Sequence, residues 1–562
     1  MSTQKNSRRQ FIQNTLWASG AIILAPNFIS CRKDSIEEEI VDDDYSIKNF
    51  NQGVASFDPT SNSVIIWTRY KNPNKKILWE VSKNIDFSTI LRSGTITTEA
   101  TRDNTIAIEL TELTADQKLY YRFSNKEDKA ISVIGETLTF SDNVSTVKLA
   151  VCSCSNYQAG LFNVYNAMAK SEADVIIHLG DYLYEVEARG YGTTNENAFL
   201  NRFHEPTNEI ISLEDYRTRY KQYRADADLQ LAHQKKPFIC VWDDHEIANN
   251  AYKDGAENHS ENEGSYNTRK QVALQAYSEF SPFSRLEANN QSLVYRNFNI
   301  GNLVNLNMLD TRIIGRDKQL SIENYITANG FNISQYQTDI SDTSRALLGS
   351  SQQNWLTQQI NNSSAKWQVL GQQVLMAKMH VPAEILTAFE SPNLESILTE
   401  LVNIKLRFLQ NDPSLTEQEI ARISTVLPYN LDAWDGYPLD RETLYNTLGD
   451  KKIITLAGDS HNAWTSKLTK EDKTEVGIEL ATAGITSPGF KEYLGNPSNE
   501  ILTAFESAIT TLIDDLNYFN ATQKGFILTT FTQSQAKAEW IFVDTILSAN
   551  YSTSVGHTIT YS

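Results

Sequence analysis

The sequence predicts two parts in series, a small all-β sandwich followed by a large α/β domain, over a length of 562 residues that exceeds one ordinary domain. Three observations carry that reading. Short Val-, Ile- and Trp-rich runs recur between turn signals from about 46 to 145. From about 147 the pattern changes to strand–helix–strand, the unit of layered α/β folds. One strand after another in that second part then ends on Cys, Asp, Tyr or His.

Ahead of both parts lies an address. Ser7, Arg8, Arg9, Gln10 and Phe11 place a twin arginine before an apolar stretch at 16–29. That stretch is shorter than the ~20 residues of a transmembrane helix and fits an export signal. The twin arginine resembles a Tat signal. The stretch ends Phe28, Ile29, Ser30, Cys31, a loose lipobox with Cys31 as the lipidated residue. An acidic tether occupies 32–45. The expectation is export by Tat to the periplasm or cell surface, with a lipid anchor at Cys31 as the only attachment to a membrane.

Within 46–145, residues 63–68 (SVIIWT), 76–81 and 120–123 read as strands, and LYYRF at 119–123 resembles a late strand of a fibronectin type III-like module. In the region 146–562, strands are expected at 148–153, 174–179 (DVIIHL), 238–242, 303–309, 367–370 and 453–457. Residues 161–170 read as a helix with Leu161, Phe162, Tyr165, Met168 and Ala169 on one face, and 355–360 as the end of another. Residues 383–427 read as a helical insertion, a candidate lid, with a helix start at Pro413–Glu417.

The polar residues fall at strand ends, where ligands of α/β folds converge. Cys154 reads as a small buried hydrophobe or, beside a metal, a thiolate ligand. Asp181 comes directly after Gly180 as a bridging carboxylate or a helix cap. Tyr184, three residues on, is a phenolate ligand or a core aromatic. Asp244 and His245 stand in the dense run Asp243, Asp244, His245, Glu246, with Asn249 and Asn250 in reach. Hard carboxylates suit Ca²⁺, Mg²⁺ or Mn²⁺, and imidazole suits Fe or Zn. Asp459 and His461 share one side of a strand end, and His461 serves either as ligand or as general acid. Arg312 is a strand-end ion pair or a phosphate fork. His461, Arg312 and His245 are thus the catalytic candidates. His178, inside an apolar strand, reads as a satisfied core histidine. No bridge is expected between Cys152 and Cys154, which stand only two residues apart in one strand.

CSNY at 154–157, HLGDYLYE at 178–185, WDDHE at 242–246, DAWDGYP at 432–438 and GDSHNAW at 458–464 together resemble the PhoD family of alkaline phosphatases, within the calcineurin-like metallophosphoesterases. GVASFDP at 53–59 with Trp67, Thr68 and Arg69 is similar to that family's N-terminal module. The resemblance covers nearly the whole mature chain. It implies a four-layer αββα sandwich and an iron–calcium site, with Mn²⁺, Mg²⁺ or Zn²⁺ as substitutes. It implies that Cys154, Asp181 and Tyr184 hold Fe³⁺, that Asp181 also touches Ca²⁺, and that Asp244, His245, Asp459 and His461 complete the cluster. The activity implied is hydrolysis of phosphate monoesters or diesters by a metal-activated water. A catalytically silent surface protein that binds phosphorylated ligands is the alternative. Cys152 and the 383–427 region depart from the family pattern. The formal net charge of −19 disfavours a nucleic-acid partner, and the chain is expected to act as a monomer.

Overall fold

The structure is a computed structural model that describes residues 45–283, 294–327, 330–388 and 393–562. The export signal, Cys31 and the acidic tether up to residue 44 lie outside the described residues.

The first eight strands are β1 (Val54–Phe57), β2 (Val64–Arg69), β3 (Lys76–Ser82), β4 (Ile90–Thr97), β5 (Thr105–Leu110), β6 (Gln117–Asn125), β7 (Ala130–Ile131) and β8 (Gly135–Thr139). One sheet runs β4-β3-β6-β7, with β8 also on β6. It shares a core with β1, β2 and β5 that contains Val54, Val64, Ile66, Ile77, Val81, Leu119, Tyr121 and Phe123. Turn spacing alone reads as a module complete in itself, but the structure joins it to the α/β body. β1 pairs in parallel with β11 (Phe238–Cys240), Phe57 opposite Phe238. The cause is visible in β1 and β2, which are buried on both faces. Val54, Val64 and Ile66 enter the sandwich core, while the alternate residues Ala55, Phe57, Ile65 and Trp67 enter the main core. Tyr45–Ser562 accordingly forms one compact unit.

The main body continues with β9 (Thr146–Cys152) and β10 (Val175–His178), which precede β11 in the chain. After β11 come β12 (Arg296–Ile300) and β13 (Val304–Met308), a short ribbon of β14 (Ile326–Thr327) and β15 (Gly330–Phe331), and β16 (Trp367–Gly371). A second ribbon, β17 (His380–Pro382) and β18 (Val426–Pro428), brackets the helical insertion. β19 (Ile453–Ala457), β20 (Ala463–Thr469), β21 (Glu475–Ala481), β22 (Leu516–Asn520), β23 (Lys524–Thr532), β24 (Ala536–Val543) and β25 (Thr553–Tyr561) complete the chain.

Two large sheets result, ordered β25-β24-β23-β9-β10-β11-β1-β2-β5 and β12-β13-β16-β19-β21-β20-β22. β9, β10 and β11 are parallel, as are β13, β16, β19 and β21. One core joins the sheets: Val151, Ile177 and Ile239 from the first, Leu306, Val369, Leu456 and Leu480 from the second. Such parallel strands are buried on both faces, which is why they read as continuous apolar runs. The helix Asn163–Lys170 makes the β9-to-β10 crossover and adds Tyr165 and Met168 to this core.

The insertion comprises helices Ala383–Ala388, Leu394–Leu409 and Glu417–Ser424. Thr416 and Glu419 form the capping box that starts the third. Leu398, Leu401 and Ile404 pack in one core with Phe505 and Ile509 of the helix Asn499–Leu512. No described residue of these three helices lines the central cavity. The insertion's exit strand β18 instead delivers Tyr429 and Asn430 to the cavity. No helix among the described residues is long and apolar enough to cross a membrane.

Candidate metal centre

The parallel strands end at a common place, and the residues just beyond them meet there. Cys154 lies past β9, Asp181 and Tyr184 past β10, Asp243, Asp244 and His245 past β11, and Asp459 and His461 past β19. Three overlapping sets have ligand atoms within 4.8 Å of one another: Cys154, Asp181 and His461; Asp181, Asp244 and His245; Asp243, Asp244 and Asp459. Every ligand candidate read from the sequence is thereby brought into one cluster, with Tyr184 joined to it through Asp181.

The backbone is bent to make this possible. Cys154, Asp181, Asp459 and His461 have φ of +63°, +54°, +58° and +59°. Side chains other than Gly rarely adopt that region, and such residues concentrate at functional sites. Gly180 has φ +107°, and a Cβ there would lie 2.4 Å from the backbone nitrogen of Asp243. Only a glycine lets the β10 and β11 ends come so close.

Hydrogen bonds then orient each ligand. His245 Nδ1 is 2.5 Å from Glu185 Oε2, and the Asn249 amide donates to Glu185 Oε1 at 2.7 Å. His461 Nδ1 donates to the Pro488 carbonyl at 2.6 Å. Both imidazoles are thus held at Nδ1, which leaves Nε2 for the cluster, the usual arrangement of metal-binding histidines. Tyr184 donates to Asp181 Oδ2 at 2.8 Å and accepts from Ser487 Oγ at 2.6 Å. Ser487 also touches the Cys154 carbonyl at 2.9 Å. Glu246 gathers the backbone amides of Asp181, Tyr182 and Asp243.

Electrostatics make the cluster costly without cations. Burial, and then Asp181, push the Cys154 thiol and the Tyr184 phenol well above their ordinary ranges. Burial pushes Asp459 up to about 7, against the pull of Arg312. Burial works against protonated His245, but Glu185, Asp181 and Asp244 outweigh it and raise the imidazole. Asp181 Oδ1, Asp243 Oδ2 and Asp244 Oδ1 are buried with no hydrogen-bond partner. Buried orphan acceptors each cost about 1–3 kcal/mol. All three belong to the same cluster, and a cation there would answer them together. The donor set of thiol, phenol, imidazole and carboxylates fits an iron-type ion beside harder cations.

Arg312 is not the phosphate fork that its strand-end position suggests. It is fully buried, and its Nε, Nη1 and Nη2 donate to Asp243, Asp432 and Asp459 at 2.5, 2.7 and 2.7 Å. Its guanidinium is a counter-charge inside the acid cluster. Asp243, Asp432, Glu185 and Glu246 are further contributors, and each lies inside a motif already visible in the sequence. Ser487 lies in none, and no sequence signal marks it. His178 is the expected core histidine, 2.8 Å from the Tyr165 hydroxyl. Cys152 and Cys240 flank it on β9 and β11 in the core, and the described cysteines are free.

Above the cluster opens a cavity of about 870 Å³ lined by Asp181, Asp244, His245, Asp459 and His461 together with Tyr191 and Asn250. Its carboxylates alone would repel an anion, but with cations bound the floor would receive a small tetrahedral anion, and the class of protein this describes is a hydrolase of phosphoric esters. Comparison narrows the class: the chain belongs to the PhoD-like phosphatase family, whose model matches residues 149–540, while the model of the family's N-terminal domain matches residues 36–141. Alkaline phosphatase D of Bacillus subtilis (strain 168) is 31% identical over 518 residues, 88% of this chain and 78% of the relative. A solved structure of PhoD matches with a TM-score of 0.73 at 29% identity, covering 92% of this chain and 91% of that one.

Proposed function

We propose that the chain is an exported, metal-dependent phosphoesterase that cleaves phosphate monoesters, diesters or both. The observation that carries the metal dependence is the trio of orphaned carboxylate oxygens on Asp181, Asp243 and Asp244. Cys154, Asp181, Tyr184 and His461 would hold Fe³⁺. Asp244, His245, Asp459 and the shared Asp181 would hold Ca²⁺ or a substituting Mn²⁺, Mg²⁺ or Zn²⁺. When bound, such cations supply an acidified water and offset the charge of the phosphoryl oxygens. The chain's own residues prepare that chemistry. Glu185 and the Pro488 carbonyl fix the two imidazoles. With its Nδ1 held by Pro488, His461 presents Nε2 to the cluster as a ligand or as a general acid. Arg312 opposes the burial that would otherwise neutralise the neighbouring carboxylates.

The facing sheets with their crossover helix support the four-layer sandwich, and the first eight strands support the fibronectin III-like module. Tat export and a lipid anchor at Cys31 rest on the twin arginine and on Phe28–Cys31. A monomer is the working state.

The test is to purify the exported protein and assay a nitrophenyl monoester and a bis-nitrophenyl diester with and without chelator, while bound Fe and Ca are quantified. Turnover should vanish with chelator. Cys154→Ala should lower iron occupancy and turnover by about 10–100-fold or more, beyond the usual effect of an outer partner. Retention of iron and activity in that variant would refute the ligand assignment. Binding of phosphate without turnover would favour the silent surface protein.

A further inference from the structure

The charges lining the cavity are unevenly compensated. In its depths, Asp459 and Asp432 meet Arg312, Asp432 also meets Arg316, and Asp181 and Asp244 belong to the cation set. Toward the mouth stand Glu187 and Glu257, both exposed. Neither forms an ion pair among the described residues, and no described residue lining the cavity is Lys or Arg.

Both acids are held in place. Glu257 accepts from Asn250 Nδ2 at 2.5 Å, and the Asn250 amide donates to Asp244 Oδ2 at 2.5 Å. One residue therefore separates this carboxylate from a metal-ligand candidate. Glu187 sits on the loop that runs from Tyr184 to Tyr191. Gln158 Nε2 pins that loop by donating to the Glu187 and Tyr191 carbonyls at 3.2 and 2.9 Å. The rest of the lining is uncharged, aromatic rings alternating with the amides of Asn258, Asn430 and Asn462. Tyr191 lies 3.3 Å from His461 Nδ1 and 2.9 Å from the Tyr493 hydroxyl, with Tyr429 and Phe490 nearby in the wall.

We infer that this mouth is a charge filter, which admits a phosphate ester with an uncharged leaving group and rejects one that carries a second phosphate. The inference rests on the phosphoesterase reading of the same site. A substrate's reacting phosphate is drawn to the cation set, whereas a second phosphate on the leaving group comes to lie among Glu187, Glu257, aromatic rings and neutral amides, with no lysine or arginine to receive it. Like charges juxtaposed in a binding site suppress the wrong ligand. The aromatic faces suit the ring of a sugar or an aryl group instead.

Glucose 6-phosphate and glucose 1,6-bisphosphate form a matched pair of probes. In the metal-loaded protein at low ionic strength, kcat/KM for the monophosphate should exceed that for the bisphosphate by about tenfold or more, and the gap should narrow at about 0.5 M NaCl as screening shortens the field. The double variant Glu187→Gln, Glu257→Gln keeps an acceptor for Asn250 and should bring the two substrates within about threefold. Equal rates in the unmodified protein, or a gap that the double variant leaves untouched, would overturn the filter. Calorimetric binding of the same two sugars separates the failures. If neither sugar nor any nitrophenyl ester is hydrolysed, the phosphoesterase reading falls. The filter still stands if the bisphosphate binds more weakly and regains affinity in the double variant, and it falls if the bisphosphate binds as tightly from the start.

Discussion

Cys154, Asp181, Asp459 and His461 hold left-handed backbone at about 1–3 kcal/mol each, and they persist because the strands on either side fix both ends of every bend. The residues themselves are legible in the sequence, since ligand-type side chains at successive strand ends are hard to explain otherwise. Their partners are less so. Glu185 and Asp243 stand inside the motifs without declaring a role, because a carboxylate near a histidine in sequence need not touch it in space. Arg312 suggests the wrong partner, for its three carboxylates come from segments far apart in the chain. His178 is legible as core, and it carries a prediction. Burial lowers its imidazole to about 3. The unfolded chain takes up that proton near pH 6.5 and the folded chain does not, so the stability is fully present above about pH 6.5 and is lost as pH falls toward 3, at ~1.4 kcal/mol per pH unit. In chelator-treated protein, thermal unfolding between pH 7 and 5 should fall more steeply for the wild type than for His178→Gln. Parallel slopes would show that the histidine is charged in the fold.

At the scale of elements, the strands at 148–153, 174–179, 238–242, 303–309, 367–370 and 453–457 all appear, because both-face burial leaves an unmistakable apolar run. The carboxy-terminal strands β23, β24 and β25 give weaker signals. Thr529, Thr530 and Thr532 interrupt the apolar run of β23, and β25 is largely exposed. The insertion is legible as helices but not as to where they pack, because an amphipathic face does not name its partner. The tightest joint between elements is the β10–β11 approach at Gly180. Gly180→Ala should place a methyl group against Asp243 and strain a positive φ, costing about 1–3 kcal/mol or more. A lowered unfolding temperature together with reduced metal uptake is the expected result. Unchanged values for both would mean that the β11 end can retreat.

For the whole molecule, the shared sheet decides what can be removed. A chain beginning at residue 146 would lack β1, β2 and β5, leaving the β11 edge unpaired and the main-core face bared of Phe57, Ile65 and Trp67. An exposed edge of that kind invites aggregation. Such a truncation is therefore expected to be insoluble or to lose its cooperative unfolding transition, as centrifugation and circular dichroism would report. A soluble, cooperatively folding fragment would show that the first strands only decorate the body. The sheet's other flank has a different consequence. β9 is an early strand, yet its neighbour on one side is β23, near the end of the chain. At ~5–20 residues per second of synthesis, β9 waits on the order of twenty seconds to more than a minute before that neighbour leaves the ribosome. The nascent chain thus carries a half-made sheet for most of its birth, and a chaperone that shields one strand edge has a defined interval in which to act.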